Sequence, residues 1–156
     1  MRSIFRTILL SLVIFPVTGL AQTDSIRLLC PLNEATVIPP PKNQMYYDQP
    51  DLCIVMTSAD TVVKACTAGK ITNVSPSQDE EGKWDVVMFR KFDKKDYYFW
   101  YIGLDKSIVK RLDNVKEGQP LGYIKSGSKI EMLMYDFETP VDPMKHMECE
   151  KVLKGF

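Results

Sequence analysis

The side chains that could do chemistry in this chain are few, and histidine is the most restrictive of them. The 156-residue sequence contains one histidine, His146, and four cysteines, Cys30, Cys53, Cys66 and Cys149. A catalytic zinc site takes three protein ligands, usually with histidine among them, and keeps one position open for water. One histidine cannot supply a site that needs two or three, and no close Cys-x-x-Cys spacing offers a thiolate alternative. The residue types therefore argue against a histidine-based zinc site.

The first residues of the chain predict export. Arg2 and Arg6 precede a short apolar run, and Gly19-Leu20-Ala21 places small residues before a cleavage point, as in a secretory signal peptide over 1–21. The apolar run is shorter than the roughly 20 residues that a spanning helix needs. We therefore predict a periplasmic or extracellular protein with no transmembrane anchor after cleavage.

An oxidising compartment gives the cysteines a structural meaning. An even number of cysteines in an exported chain favours disulfides, and four cysteines allow three pairings. Cys53 and Cys66 flank a predicted hairpin, so we favour a Cys53–Cys66 bond. Cys30 and Cys149 then form the second pair, tying an N-terminal arm to the C-terminal tail.

Composition predicts one globular domain and disfavours nucleic acid as a partner. The chain is 45% hydrophobic, and its 20 basic and 20 acidic residues leave no net charge. A neutral chain lacks the positive surface that binds phosphate backbones. The domain is expected over 51–156, preceded by an extended, proline-rich arm over 22–50.

The elements that must position any site are short strands with little helix. We predict an all-β fold, an antiparallel sandwich or barrel-sandwich hybrid. Its strands are expected at 52–56, 61–66, 70–74, 84–92, 97–102, 121–124 and 130–137. A helical turn is predicted over 105–112, and a short terminal helix with Asp142 as N-cap and Pro143 in its first position. The aromatic strand at 97–102 alternates, so one set of rings packs inward and the other faces out or lines a groove.

The order of these pieces resembles the lysostaphin-type (LytM-like) zinc endopeptidases of bacterial cell walls. The similarity runs from about Leu52 to Met147. Six segments carry it: the hairpin at 60–71, the two central strands at 84–89 and 98–104, the turn Val-Lys-Glu-Gly-Gln-Pro-Leu-Gly at 115–122, the strand at 132–137, and Pro-Val-Asp-Pro at 140–143. The resemblance implies the peptidase β-sheet core. A shorter similarity of 115–131 to the biotinyl-carrier hairpin is disfavoured because carrier chemistry is intracellular.

The metal ligands of this family do not carry over to the chain. The positions of its His-x-His pair are Met132 and Met134, and the Tyr-x-His position is Gly103. The first histidine and the aspartate fall near Pro50 and Ile54. Proline, isoleucine and glycine side chains have no lone pair, and thioether sulfur is a poor zinc ligand. The resemblance therefore implies a degenerate member with no catalytic residue, no bound metal and no other cofactor.

A groove over the sheet face of the lost ligands is the implied binding site. It would be lined by Tyr101, Gly103, Met132 and Met134, with Asp136 deeper. We expect a non-catalytic domain that binds peptidoglycan or regulates a cell-wall hydrolase. The alternatives are an active metallo-endopeptidase with relocated ligands and a structural envelope interaction module. Side chains that close over the groove and fill it are a further alternative.

Overall fold

The structure is a computed structural model that describes residues 26–38, 52–78 and 80–152. The predicted signal peptide lies outside these residues, as do residues 22–25 and 39–50 of the predicted arm, including the Pro50 position. The described residues form fourteen strands and one short 3-10 helix. The strands are β1 (Leu28–Leu29), β2 (Thr36–Ile38), β3 (Ile54–Thr57), β4 (Val62–Lys64), β5 (Gly69–Pro76), β6 (Trp84–Phe92), β7 (Lys95–Leu104), β8 (Lys106–Ser107), β9 (Asn114–Val115), β10 (Pro120–Tyr123), β11 (Lys129–Asp136), β12 (Thr139–Val141), β13 (Met147–Glu148) and β14 (Lys151–Val152).

The strands form two layers, which confirms the predicted all-β architecture. The large sheet has the order β14-β2-β3-β11-β7-β6-β5-β9, with β12 added beside β11. The small sheet has the order β4-β10-β8. Neighbours in both sheets are antiparallel except β14 and β2, and the separate pair of β1 and β13 is also parallel. No helix among the described residues has both the length and the apolar character needed to cross a bilayer.

Register across the centre of the large sheet assigns its side chains to two faces. Met132 on β11 lies opposite Ile54 on β3 and Tyr101 on β7. Because directly opposed residues project from the same face, these three side chains share the inner face. That face joins Val63 and Leu121 of the small sheet in the main hydrophobic core.

One local prediction is wrong where tertiary pairing decides the backbone. The expected helical turn over 105–112 contains β8 instead, which pairs with β10 in the small sheet. The described part of the predicted extended arm contains β1 and β2, which pair with β13 and β3. The terminal helix is confirmed as a 3-10 helix, Pro143–Lys145, in which the Asp142 side chain accepts a hydrogen bond from the Met144 N–H at 2.9 Å.

One disulfide prediction is confirmed and the other is wrong. Cys30 and Cys149 are bonded across a sequence separation of 119. Cys53 and Cys66 are both free and buried. Cys66 belongs to the main core, whereas Cys53 packs in a second cluster with Ile102. The two thiols therefore lie in different hydrophobic clusters and are not bonded, although the residues are close in sequence.

Candidate functional site

The positions that correspond to zinc ligands in the resembled peptidases hold apolar side chains packed in the core. Met132 and Met134 are 0% and 1% exposed, and Ile54 is 5% exposed. None of them offers a nitrogen or oxygen donor, and a catalytic zinc site needs three such ligands and access for water. Within 26–38, 52–78 and 80–152, no group of three or more His, Cys, Asp or Glu side chains could hold a metal. The described residues do not fit the zinc ion that this fold holds in its peptidases.

Gly103 departs from the peptidase pattern in its backbone as well as its side chain. Its φ is +91°, a region that side chains with a Cβ rarely adopt. Its N–H donates to Oδ1 of Asp85 at 3.2 Å. A histidine placed here would strain the strand, so restoring the side chain alone would not restore the peptidase geometry.

The groove predicted over these residues is filled. Tyr101 is fully buried, and its hydroxyl accepts a hydrogen bond from the Cys66 N–H at 2.9 Å. Burial raises the pKa of Tyr101 well above its usual range, so this hydroxyl stays neutral. Asp136 is predicted to lie deeper in this groove, and that prediction is wrong. It lies near the surface, where its carboxylate accepts a hydrogen bond from Lys95 Nζ at 2.6 Å. Tyr101, Met132 and Met134 thus pack the core and line no open groove.

Cys53 is a nucleophilic side chain within the second cluster, but its reactivity is suppressed. Its thiol lies 3.9 Å from Oε2 of Glu131. Burial, followed by the neighbouring Glu131 charge, raises the pKa of Cys53 to about 12. The thiolate is the reactive form of cysteine, so this group is a packed thiol and not a nucleophile at neutral pH.

An open pocket lies on the opposite, outer face of the large sheet. Its volume is about 450 Å³. It is lined by Tyr98, Trp100, Tyr135, Phe137 and Glu138. We call this the aromatic pocket.

Strand alternation builds the aromatic pocket. On β7, Phe99 and Tyr101 enter the main core, so Tyr98 and Trp100 project from the outer face. Tyr135 on β11 lies directly opposite Tyr98. The rings of Trp100 and Tyr135 are 6.1 Å apart between centroids and tilted by 54°.

Phe137 and Glu138 extend the pocket from the turn between β11 and β12. Phe137 is 63% exposed and has a φ of +56°. The alternation in the sequence assigns Tyr135 and Phe137 to the face away from Met132, but no spacing signal shows that the turn brings them to Trp100. Alternation therefore predicts outward-facing rings on β7, but it does not predict the pocket that they form with Tyr135 and the turn.

The fold is that of the catalytic core of a class of cell-wall peptidases. The catalytic domain of lysostaphin from Staphylococcus simulans is similar with a TM-score of 0.53 and 24% identity, over 68% of this chain and 85% of that chain. A chain of the SpoIIQ–SpoIIIAH pore forming complex is similar with a TM-score of 0.56 and 12% identity, over 79% of this chain and 92% of that chain.

A third structure extends the comparison. Csd3 from Helicobacter pylori is similar with a TM-score of 0.58 and 15% identity, and the match covers 83% of this chain but 36% of Csd3. No protein-family model matches the sequence, and no curated protein matches it. This chain therefore has the lysostaphin-type (LytM-like) fold, with side chains at the ligand positions that do not suit zinc.

Proposed function

We propose that this chain is an exported, non-catalytic, peptidase-like domain that binds cell-wall peptidoglycan. The observation that carries the proposal is the contrast between the two faces of the large sheet. Met132 and Met134 fill the face where the resembled peptidases hold zinc. The opposite face keeps an aromatic pocket open to solvent.

The chemistry of the aromatic pocket favours binding over bond cleavage. Its aromatic rings offer large apolar contact areas with few rotatable bonds, and its single carboxylate, on Glu138, offers one charged contact. General acid–base hydrolysis of a peptide would need a second catalytic group or a metal-bound water beside that carboxylate. The lining contains neither a histidine nor a second acid.

Binding is tested by co-sedimentation of the full chain with purified peptidoglycan sacculi. We expect the wild type to enter the pellet and Trp100→Ala to remain in the supernatant, because the substitution removes the central ring of the pocket. Trp84→Ala is the matched control, since Trp84 is partly exposed on β6 and does not line the pocket. Equal amounts of wild type in the pellet with and without sacculi would contradict the proposal.

The absence of catalysis is tested separately. We expect the purified chain to carry no stoichiometric zinc by elemental analysis and to release no muropeptides from sacculi. The physical reason is the donor chemistry at Ile54, Gly103, Met132 and Met134. One equivalent of zinc removed only by a chelator, together with muropeptide release, would establish the alternative of an active endopeptidase with relocated ligands.

Regulation of a cell-wall hydrolase is a second candidate function. It is supported by the shared fold with a chain of the SpoIIQ–SpoIIIAH complex, a protein–protein assembly. The discriminating measurement is the rate at which a purified cell-wall hydrolase releases muropeptides, with and without this chain. Regulation would be favoured over wall binding if the chain changes the hydrolase's rate of muropeptide release but does not itself bind sacculi.

A further inference from the structure

We infer that the aromatic pocket binds an alkylammonium group, the protonated amine of a cell-wall stem peptide. The preference for an ammonium group is argued from the pocket itself. The assignment of that amine to a wall peptide rests on the proposed function. Three features of the pocket carry the inference: its rings, its unmatched charge and its strained phenylalanine.

Four aromatic rings line one space. The rings of Trp100 and Tyr135 lie 6.1 Å apart between centroids and are tilted by 54°, so they pack against each other and offer a joint aromatic surface to a ligand in the pocket. Tyr98 and Phe137 complete the lining. A cation within about 6 Å of a ring centroid is attracted by the negative face of the ring, and tryptophan gives the strongest attraction.

The charge at the rim is not balanced within the described chain. Glu138 lines the pocket and forms no salt bridge with any residue in 26–38, 52–78 or 80–152. The ammonium group of Lys95 forms a salt bridge with Asp136, which precedes the turn that carries Glu138. The pocket therefore combines aromatic rings with a carboxylate that has no salt-bridge partner among the described residues, which is complementary to a positive group.

Phe137 occupies a backbone conformation that does not suit it. Its φ of +56° lies in the left-handed region that favours glycine. Its ring is also largely exposed, so core packing does not offset that cost. The turn between β11 and β12 therefore holds an exposed aromatic ring beside the pocket, where it is available for contact with a ligand.

A neutral sugar suits this lining less well than an ammonium group. Besides the hydroxyls of Tyr98 and Tyr135 and the indole N–H of Trp100, the only polar group of the lining is the Glu138 carboxylate, and it is the only charged one. A sugar would present several hydroxyls that need partners, and each unpaired one would cost free energy on burial. An alkylammonium group needs one carboxylate and aromatic contact, and its alkyl chain packs against the remaining ring edges.

The first test uses tryptophan fluorescence, because the chain contains two tryptophans, Trp84 and Trp100. Trp84→Phe leaves Trp100 as the single reporter, and Trp100→Phe leaves Trp84. At constant ionic strength we expect n-butylammonium to change Trp100 emission in a saturable way. The neutral isostere 1-butanol should not do so, and Trp84 should respond to neither.

Two substitutions in the Trp84→Phe background localise the binding. Glu138→Gln should weaken n-butylammonium binding by about fivefold to tenfold, whereas the exposed-loop control Glu81→Gln should leave it unchanged. Phe137→Gly should weaken binding without lowering the denaturation midpoint, because glycine suits the left-handed turn. Equal responses to n-butylammonium and 1-butanol, or unchanged binding in Glu138→Gln, would overturn the inference.

The last arm identifies the carrier of the amine. Acetylation of the free amines of sacculi removes their charge, so we expect it to abolish co-sedimentation of the wild type. Undiminished binding to acetylated sacculi would overturn the inference while the proposed wall-binding function stands. Saturable n-butylammonium binding without any binding to native sacculi would overturn the wall assignment and the proposed function together, leaving a pocket for an amine of another carrier.

Discussion

The hydroxyl of Tyr101 accepts a hydrogen bond from the backbone N–H of Cys66 at 2.9 Å, and both residues are fully buried. Tyr101 lies on the large sheet, and Cys66 follows β4 of the small sheet. The bond therefore joins the two layers of the fold across the main core. It occupies the space where sequence similarity predicts a binding groove.

Tyr101→Phe should lower the free energy of unfolding by about 1–3 kcal/mol, because it leaves the buried Cys66 N–H without a partner. Urea denaturation followed by circular dichroism measures the change. Tyr123→Phe is the control, since Tyr123 is partly exposed on β10. Equal midpoints for the two variants would show that the interlayer bond does not stabilise the fold.

The thiol content should separate into three levels. In the native state at neutral pH neither Cys53 nor Cys66 should react with a thiol reagent, because both are buried and burial raises the pKa of each to about 12. Denaturant should expose two thiols, and reductant should then expose four. Because the pKa of each thiol is higher in the folded state than in the unfolded state, burial of the neutral thiols contributes to the free energy of unfolding below the unfolded thiol pKa. That contribution is lost as the pH rises through the folded pKa. Recovery of a Cys53–Cys66 peptide under non-reducing conditions would contradict the structure.

Removal of the Cys30–Cys149 disulfide should lower the free energy of unfolding by about 2–5 kcal/mol, because the bond closes a long loop in the unfolded chain. The double substitution Cys30→Ser and Cys149→Ser tests this in urea. Cys53→Ser with Cys66→Ser is not a neutral control, since it buries two hydroxyls. The better comparison is wild type with and without reductant. A midpoint that reductant does not move would contradict the prediction.

Restoring the histidine pair should damage the fold and create no peptidase. Met132→His with Met134→His places two imidazoles in the buried core at a cost of roughly 1–3 kcal/mol each. Met132→Leu with Met134→Leu conserves volume and apolar character, so it should cost less than about 1.5 kcal/mol per site. Unfolding curves, elemental analysis and muropeptide release are the measurements. Bound zinc with turnover in the histidine variant would reveal an unrecognised ligand, with Asp136 the first to test.

Stability should depend on Asp105 at acidic pH. Lys83 Nζ lies 2.9 Å from Oδ1 of Asp105 and holds the pKa of that carboxyl below its ordinary value. A lowered pKa contributes stability above the unfolded value near 3.9, and that stability is lost as the pH falls through the folded value. The advantage of wild type over Asp105→Asn should therefore shrink from about pH 7 to about pH 3. A difference that stays constant with pH would contradict the assignment.

Much of the fold can be predicted because most of its longer strands show a local alternation of apolar and polar residues. Alternation places β6 at Trp84–Phe92 as observed, and the Asp142-Pro143 pair marks the start of the 3-10 helix. The segment 105–112 fails because its short β8 is stabilised by pairing with β10 and not by local periodicity. Leu112, with a φ of +79°, also lies in a conformation that its residue type does not signal.

The site could be predicted less well, because burial depends on contacts between distant residues. Alternation assigns Met132 and Met134 to one face correctly. It does not reveal that Tyr101 closes that face by bonding to Cys66, 35 residues away in sequence. The Cys53–Cys66 prediction fails for the same reason, since a sequence interval does not show that two thiols belong to separate clusters.

The parallel pairs β1–β13 and β14–β2 have a consequence for biosynthesis. Synthesis proceeds from the N-terminus, yet β1 and β2 obtain these partners only from residues 147–152. Until residues 147–152 have been made, the edge of β2 that β14 covers lacks this partner and is available to other chains. A nonsense mutation shortly before these residues would therefore release a product whose β2 edge is open to aggregation.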